Sequence, residues 1–218
     1  MNDALKQTLK RVLPESFLKV ARYFRPQRRF DRRFSVETCG VIDPEQLDVM
    51  DSRDASGYEP TDSGIFSKIM SSIQIDYSRF AFVDMGSGKG AVILYASAFP
   101  FKKIIGVEFS SLLHRIAEQN IARFHSQLMK CKNVMSLCMD VTNYQLPSEP
   151  TVLYLFNPFK GRALDKVIAN TKRSLKDHPR DIAVVYYHPV CRHSAWDRAD
   201  FLRQVRREQD HTIYVNSD

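Results

Sequence analysis

Residues 80–109 constrain the fold more than any other stretch of the chain. They read FAFVDMGSGKGAVILYASAFPFKKIIGVEF, which predicts an apolar strand over 80–83, a glycine-rich turn, a helix over about 90–98 and a second apolar strand over 104–107. Glu108 stands at the tip of that second strand. Because this order is half of a mononucleotide-binding unit, the sequence predicts an α/β fold with a doubly wound, mostly parallel sheet and a ligand at the turn.

The turn carries glycines at Gly86, Gly88 and Gly90, where the backbone can turn tightly and approach a ligand closely. The next helix points its unpaired N–H groups into the same space. A phosphate-binding P-loop needs a Gly five residues before the Gly-Lys pair and a Ser or Thr after it. Val83 and Gly90 occupy those places, so the sequence excludes a P-loop.

A dinucleotide site is a second interpretation of the same turn. Gly86, Gly88 and Ala91 satisfy the G-x-G-x-x-A pattern, and Glu108 stands near the expected ribose position. Asp84 opposes this interpretation, because its carboxylate would face the pyrophosphate. A carboxylate there suits a cationic or neutral cofactor better, and an NAD-binding oxidoreductase stays as an alternative.

Two further strands end in polar residues. Residues 133–138 predict a strand followed by Asp140 and Val141, whose carboxylate and backbone N–H groups would bind an adenine ring, or would only order the turn. The continuous apolar run 151–156 predicts a central strand buried on both faces. It stops at Asn157-Pro158-Phe159, an acceptor amide, an exposed carbonyl edge and an aromatic wall, which would hold an amino group. The alternative is a simple strand-ending turn.

The pattern Asp84-x-Gly86-x-Gly88-x-Gly90 resembles motif I of the class I S-adenosylmethionine (SAM) methyltransferases. The resemblance covers about residues 58–190 and implies their seven-strand, Rossmann-like fold with SAM as cofactor. Within it, Asp84 and residues 86–90, including Ser87, would shape the loop under the methionine part of SAM. Glu108 would bind the ribose, with Phe109 beside it, and Asp140 and Val141 would bind the adenine.

Asn157-Pro158-Phe159 is similar to motif IV of amino-directed members, although it lacks their second proline. The Tyr58-Glu59-Pro60-Thr61 loop resembles the loop ahead of motif I in some seven-strand protein lysine methyltransferases, and would place Tyr58 and Thr61 at the cofactor. The combination YEPT, DMGSGKG, GVEFS and YLFNPF resembles a set of bacterial class I methyltransferases of unassigned substrate.

This resemblance implies methyl transfer to an amino nitrogen, with Asn157, Pro158 and Phe159 as the catalytic set. Protein amine, nucleobase and small molecule all stay open as the methyl acceptor. His188, after the predicted strand 182–187, is equally consistent with a structural and a substrate-contacting role. An alternative function is a catalytically silent SAM-binding scaffold that contacts a partner through its N-terminus.

The positive charge of the chain is concentrated at its N-terminus. Residues 1–35 hold ten of the 32 Lys/Arg residues and three of the 25 Asp/Glu residues. The rest of the chain holds 22 of each sign, so its net charge is zero. We therefore predict a basic helical arm over 1–36 and a catalytic domain over 37–218. The arm would contact an acidic partner or a membrane surface, or would pack on the domain as a helical lid with a solvated basic face.

The four cysteines show no metal-binding spacing, which predicts free thiols in a reducing cytoplasm and no metal site. Neither a transmembrane run nor a secretory signal is expected. At the C-terminal end the pattern predicts a helix over 195–206 and a short strand over 211–215. The sheet would then lack the two-strand hairpin that closes it in the resembling family.

Overall fold

The computed structural model describes residues 25–43, 47, 57–157, 159–187 and 195–216. Within these residues seven strands form one sheet in the order β3-β2-β1-β4-β5-β7-β6. All neighbours pair in parallel except β7, which is antiparallel to β5 and β6. The strands are β1 Ala81–Met85, β2 Lys103–Glu108, β3 Val134–Cys138, β4 Thr151–Phe156, β5 Ile182–Tyr187, β6 Leu202–Arg207 and β7 His211–Asn216. The predicted fold class is confirmed.

Helices cover both faces of this sheet, which explains why the central strands are apolar runs without alternation. Phe82 and Tyr154 lie in the core on one face, and Val83 and Leu153 lie in the core on the other. The α-helices are α1 Arg25–Phe34, α2 Ser63–Ser71, α3 Ala91–Ala96, α4 Ser111–Arg123 and α5 Gly161–Asp177. Short 3₁₀ turns span Tyr77–Arg79, Val141–Asn143 and Ala195–Arg198. None of the helices described here is long and apolar enough to cross a membrane.

Local capping fixes where two of these helices begin. The Asp62 carboxylate accepts hydrogen bonds from the N–H groups of Gly64 and Ile65 at the start of α2. The Ser110 hydroxyl accepts one from Leu113 at the start of α4. Both residues supply the oxygen acceptor that an open helix N-terminus requires. Each cap follows directly on a segment that lines the site described below.

The helix predicted over 195–206 is wrong. Ala195–Arg198 forms one 3₁₀ turn, and Leu202–Arg207 is strand β6, which pairs with β7. β6 is an edge strand with almost every side chain exposed, so its polar sequence carries no strand alternation and only the pairing with β7 reveals it. The hairpin at this edge is therefore present, which corrects the expectation of an abbreviated sheet.

The described part of the predicted basic arm, α1, packs against the domain. Phe30 contacts Tyr95 with ring centroids 4.8 Å apart, and Phe34 contacts Phe124 at the same separation. Residues 1–24 of the predicted arm lie outside the described residues, as do Pro158, His188 and Cys191.

Candidate functional site

A cleft opens at the carboxyl ends of β1 and β4, where the strand order reverses and ligands of such sheets bind. The structure brings nine of the predicted site residues together in its lining: Tyr58, Thr61, Asp84, Gly86, Ser87, Gly88, Glu108, Phe109 and Asn157. The prediction missed several other lining residues, among them Leu47, Glu59, Leu113 and Phe156.

Gly88 carries the tightest constraint in the glycine-rich loop. Its φ of +54° lies in the left-handed region, and a Cβ on Gly88 would come within 3.0 Å of two ring carbons of Tyr58. The Tyr58 ring thus lies directly over the loop. Position 90 favours glycine for a different reason, because a Cβ there would lie 3.2 Å from the Cβ of Ala117 on α4. Gly90 therefore permits close packing of α3 against α4 and does not line the cleft.

Tyr58 is held over the loop by the segment that follows α1. Its hydroxyl donates to the Thr38 carbonyl at 2.5 Å, and its backbone forms an antiparallel bridge with Ile42. The Asp31 carboxylate on α1 in turn accepts from the N–H groups of Thr38 and Cys39, at 2.9 and 2.8 Å. A continuous chain of hydrogen bonds therefore connects α1 to the residue that covers Gly88.

Asn120 forms hydrogen bonds that connect the glycine-rich loop to the segment after α1. The sequence analysis did not predict this residue. It is fully buried on α4, and its amide nitrogen donates to the carbonyls of Lys89 and Glu37 at 2.8 and 3.0 Å. Its oxygen accepts from the Glu37 N–H at 2.7 Å. Lys89 closes the network, because its ammonium lies 3.3 Å from the Glu37 carboxylate and 3.2 Å from the Cys39 carbonyl.

Two buried carboxylates face the cleft. Asp84 is 2% exposed and Glu108 is 3% exposed. Glu108 accepts hydrogen bonds from the N–H groups of Gly88 and Ser110, at 2.8 and 2.9 Å. Burial, and secondarily the charge of Glu108, raises the pKa of Asp84 well above its ordinary value. A positively charged ligand would stabilise this pair, whereas a pyrophosphate would add to the repulsion.

Asp140 and Val141 lie outside this lining. The Asp140 carboxylate accepts from the Thr142 N–H at 2.7 Å and caps the short turn Val141–Asn143, while its side chain is exposed. Val141 is buried in the core. In this structure the pair orders a turn, which was the alternative interpretation, and its predicted contact with adenine stays a prediction.

Asn157, directly after β4, has a strained backbone conformation. Its φ of +40° is positive, which is uncommon for a residue with a side chain and is typical of functional sites that the surrounding structure holds in place. Its side-chain oxygen accepts from the Tyr186 hydroxyl at 3.4 Å. Phe159, predicted as an aromatic wall, is 6% exposed in the core cluster that contains Leu164, and does not line the cleft.

An aromatic row leads sideways from the cleft along the same edge of the sheet. Phe156 pairs with Tyr187, and Tyr187 pairs with His211 across adjacent strands. The rings of Phe156 and Tyr187 lie 4.8 Å apart. Burial raises the pKa of Tyr187 to about 12, and the negative charges of Asp210, Asp62 and Glu59 add to the shift. This side of the cleft is therefore both aromatic and negatively charged, which the sequence alone did not indicate.

Comparison with known proteins supports the class suggested by the motifs. The model of the family described as "Histone methylation protein DOT1" matches residues 38–144, slightly less than half of the chain. In fold and in this family match, the chain is similar to the class I SAM-dependent methyltransferases. The predicted resemblance is thereby confirmed at the level of the class.

Solved structures agree on the fold. A predicted N6-adenine-specific DNA methylase from Listeria monocytogenes matches with a TM-score of 0.52 and 13% identity over 72% of this chain and 51% of its own. This chain thus spans about half the length of the Listeria protein. A SAM-dependent methyltransferase from Aquifex aeolicus matches with a TM-score of 0.51 and 15% identity, over 70% of this chain and 89% of its own. At such identities the likeness establishes the fold. A search of curated proteins found no significant match.

The Asp84 carboxylate gives this site a testable pH dependence. Since its pKa is raised, the folded protein holds this proton more tightly than the unfolded chain, and stability falls as the pH rises from 3.8 through the raised pKa. Asp84→Asn removes this loss of stability, because asparagine does not ionise. In urea unfolding without ligand, we expect the variant to have a larger free energy of unfolding than the unmodified protein at neutral pH and the same one at acidic pH. SAM affinity should drop by about tenfold or more, because the carboxylate that attracts its positive charges is lost. A variant less stable at neutral pH would contradict this assignment.

Proposed function

We propose that this protein transfers the methyl group of SAM to an amino nitrogen. The observation that carries the proposal is that three groups line one cleft. They are the buried carboxylates of Asp84 and Glu108, the glycine-rich loop, and the side-chain amide of Asn157, whose backbone φ is strained. The first two fit the cofactor, and the third suits an acceptor amine.

The cofactor fits the charges and the shape of the cleft. SAM carries a sulfonium and an ammonium, whose positive charges would offset the cost of the buried Asp84 carboxylate. Glu108 would accept hydrogen bonds from the ribose hydroxyls. Gly86, Gly88 and Tyr58 all line the cleft, and the Tyr58 ring lies so close over Gly88 that a side chain at position 88 would collide with it. When bound, SAM supplies the reactive methyl group, and the protein supplies position.

Asn157 would position the nitrogen that receives the methyl group. An amine must present its lone pair, so its N–H bonds need acceptors that leave the lone pair free. The side-chain oxygen of Asn157 is such an acceptor, and the Tyr186 hydroxyl that donates to it would orient the amide. Holding the reactants in line is worth roughly 7–11 kcal/mol at its upper limit, so positioning alone is a sufficient role for these residues.

The surroundings of the cleft favour a cationic acceptor such as a protein lysine. Glu59 lines the cleft, and Asp62 and Asp210 lie close enough to Tyr187 to affect its pKa. Aromatic rings flanked by carboxylates attract ammonium groups. The matched family is described by its methylation of histones, which are proteins, and this supports a protein amine over a neutral nucleobase.

The acceptor class is tested by transfer of radiolabelled methyl from SAM to three substrates side by side. These are lysine-rich peptides with histones, adenine-containing oligonucleotides, and free amino acids. We expect label in the lysine peptides, lost when their amines are acetylated beforehand. Label in the oligonucleotides alone would overturn the protein-amine proposal. No label in any substrate, with intact SAM binding, would favour the silent scaffold.

A further inference from the structure

We propose that a surface formed by α1, the last residue of α4 and the segment after α4 binds the phosphate backbone of a nucleic acid. This inference is independent of the methyl acceptor. The basic face, as we name this surface, consists of seven exposed side chains: Arg28, Arg29, Arg32, Arg33, Arg123, Lys130 and Lys132.

α1 presents its arginines on a rigid support. Its apolar residues, Phe30 and Phe34, pack on Tyr95 and Phe124, so the opposite side of the helix points into solvent. The one acid of α1, Asp31, is engaged by the backbone N–H groups of Thr38 and Cys39. The helix therefore exposes a face with positive charge and no carboxylate opposing it.

The segment after α4 continues this face. Phe124, between Arg123 and His125, stacks on Phe30 with centroids 5.7 Å apart. Met129 packs in the same cluster as Phe34 and Val36, which places Lys130 beside the end of α1. Two separate parts of the chain thus contribute cations to one surface.

The cations of the basic face have no acidic partner among the described residues, since none of the seven forms an ion pair there. Arg32 donates to the Arg28 carbonyl, and Arg33 lies over the Phe34 ring. Elsewhere exposed bases do pair, as Lys172 does with Asp200 at 2.6 Å and Lys102 with Glu149 at 3.5 Å. A cluster of unpaired cations is unfavourable for the isolated protein and becomes favourable when a polyanion neutralises it.

The chemistry of the basic face favours nucleic acid over a membrane or an acidic protein. Membrane-surface helices insert an apolar face, and both apolar side chains of α1 are committed to the domain. Four of the seven cations are arginines on a single helix, and the planar guanidinium forms two parallel hydrogen bonds with phosphate. A phosphate backbone also supplies closely spaced charges along its length, which a dispersed acidic protein surface does not.

The test is fluorescence anisotropy of the full-length protein with a labelled DNA duplex and a labelled single-stranded RNA, from about 50 to 200 mM salt. The variant Arg28→Glu/Arg29→Glu places carboxylates near the start of α1, where the helix dipole tolerates them. The matched control, Arg203→Glu/Arg206→Glu, changes the net charge equally on β6, the edge strand at the far end of the sheet.

We expect salt-dependent binding of the unmodified protein to at least one of the two probes. The α1 variant should bind about tenfold or more weakly, with a shallower salt dependence by about two phosphate contacts, and the control should bind within about twofold of the unmodified protein. Equal losses of nucleic-acid affinity in both variants would show that binding depends only on net charge, and would overturn the proposal. Absence of binding to either nucleic acid would overturn it as well, as would tighter binding to phosphatidylserine vesicles or to polyglutamate.

Discussion

Gly88→Ala is expected to weaken SAM binding by about 100-fold. This is a larger loss of affinity than the one expected for Asp84→Asn. The added methyl group would come within 3.0 Å of the Tyr58 ring, and the φ of +54° disfavours any side chain. Tyr58 is anchored through its hydroxyl and its backbone, so the ring has little freedom to move aside. The loop must move instead, and it lines the cofactor cleft. Titration calorimetry with SAM measures the effect.

The double variant Tyr58→Ala/Gly88→Ala separates the clash from the backbone strain. Removing the ring should recover most of the affinity that Gly88→Ala loses, measured relative to Tyr58→Ala alone. Urea unfolding of all three variants identifies any that fail to fold. Gly88→Ala is compared with the unmodified protein, and the double variant with Tyr58→Ala. If SAM affinity falls by the same factor in both comparisons, contact with Tyr58 is not the reason why position 88 requires glycine.

Asn157→Gly is expected to lower turnover by about 100-fold and to leave the SAM dissociation constant within about threefold. Glycine accepts the φ of +40° without strain, so this variant removes the amide and keeps the backbone. Loss of the amide would leave the acceptor amine misplaced relative to the methyl group. Single-turnover rates with the labelled acceptor, together with calorimetry for SAM, measure the two quantities.

Two further variants test the role of this amide. Tyr186→Phe removes the hydroxyl that donates to Asn157 at 3.4 Å, and we expect a smaller loss of turnover, below about tenfold, because that hydrogen bond is long. Asn157→Ala adds backbone strain to the loss of the amide and should unfold more readily than Asn157→Gly. An equal loss of SAM affinity and turnover in Asn157→Gly would assign the residue to the cofactor instead.

The sequence predicted the parts of the site that follow from local patterns. Gly86, Gly88, Asp84 and Glu108 all stand at the ends of strongly apolar strands, and parallel strands bring such ends to one edge of the sheet. The Ser110 cap also follows from a local pattern, since a hydroxyl precedes an amphipathic run. These signals need only neighbours in the chain.

The parts that were missed depend on residues distant in sequence. Asn120 binds Glu37, 83 positions away, and nothing in its helix distinguishes it from a surface amide. The negative charge near Tyr187 comes from Glu59 and Asp210, which are far apart in sequence and act on the same tyrosine only in the folded protein. Phe159 follows an informative Asn-Pro pair, and its aromatic ring suggested a ligand wall, but the start of α5 turns it into the core.

The measurement that tests the central claim most directly is titration calorimetry of the purified protein with SAM, S-adenosylhomocysteine and NAD in parallel. We expect dissociation constants in the micromolar range for both adenosyl compounds and no heat of binding with NAD. We also expect the protein to bind SAM more weakly after Asp84→Asn. Binding of NAD without the adenosyl compounds would contradict the assignment of this cleft.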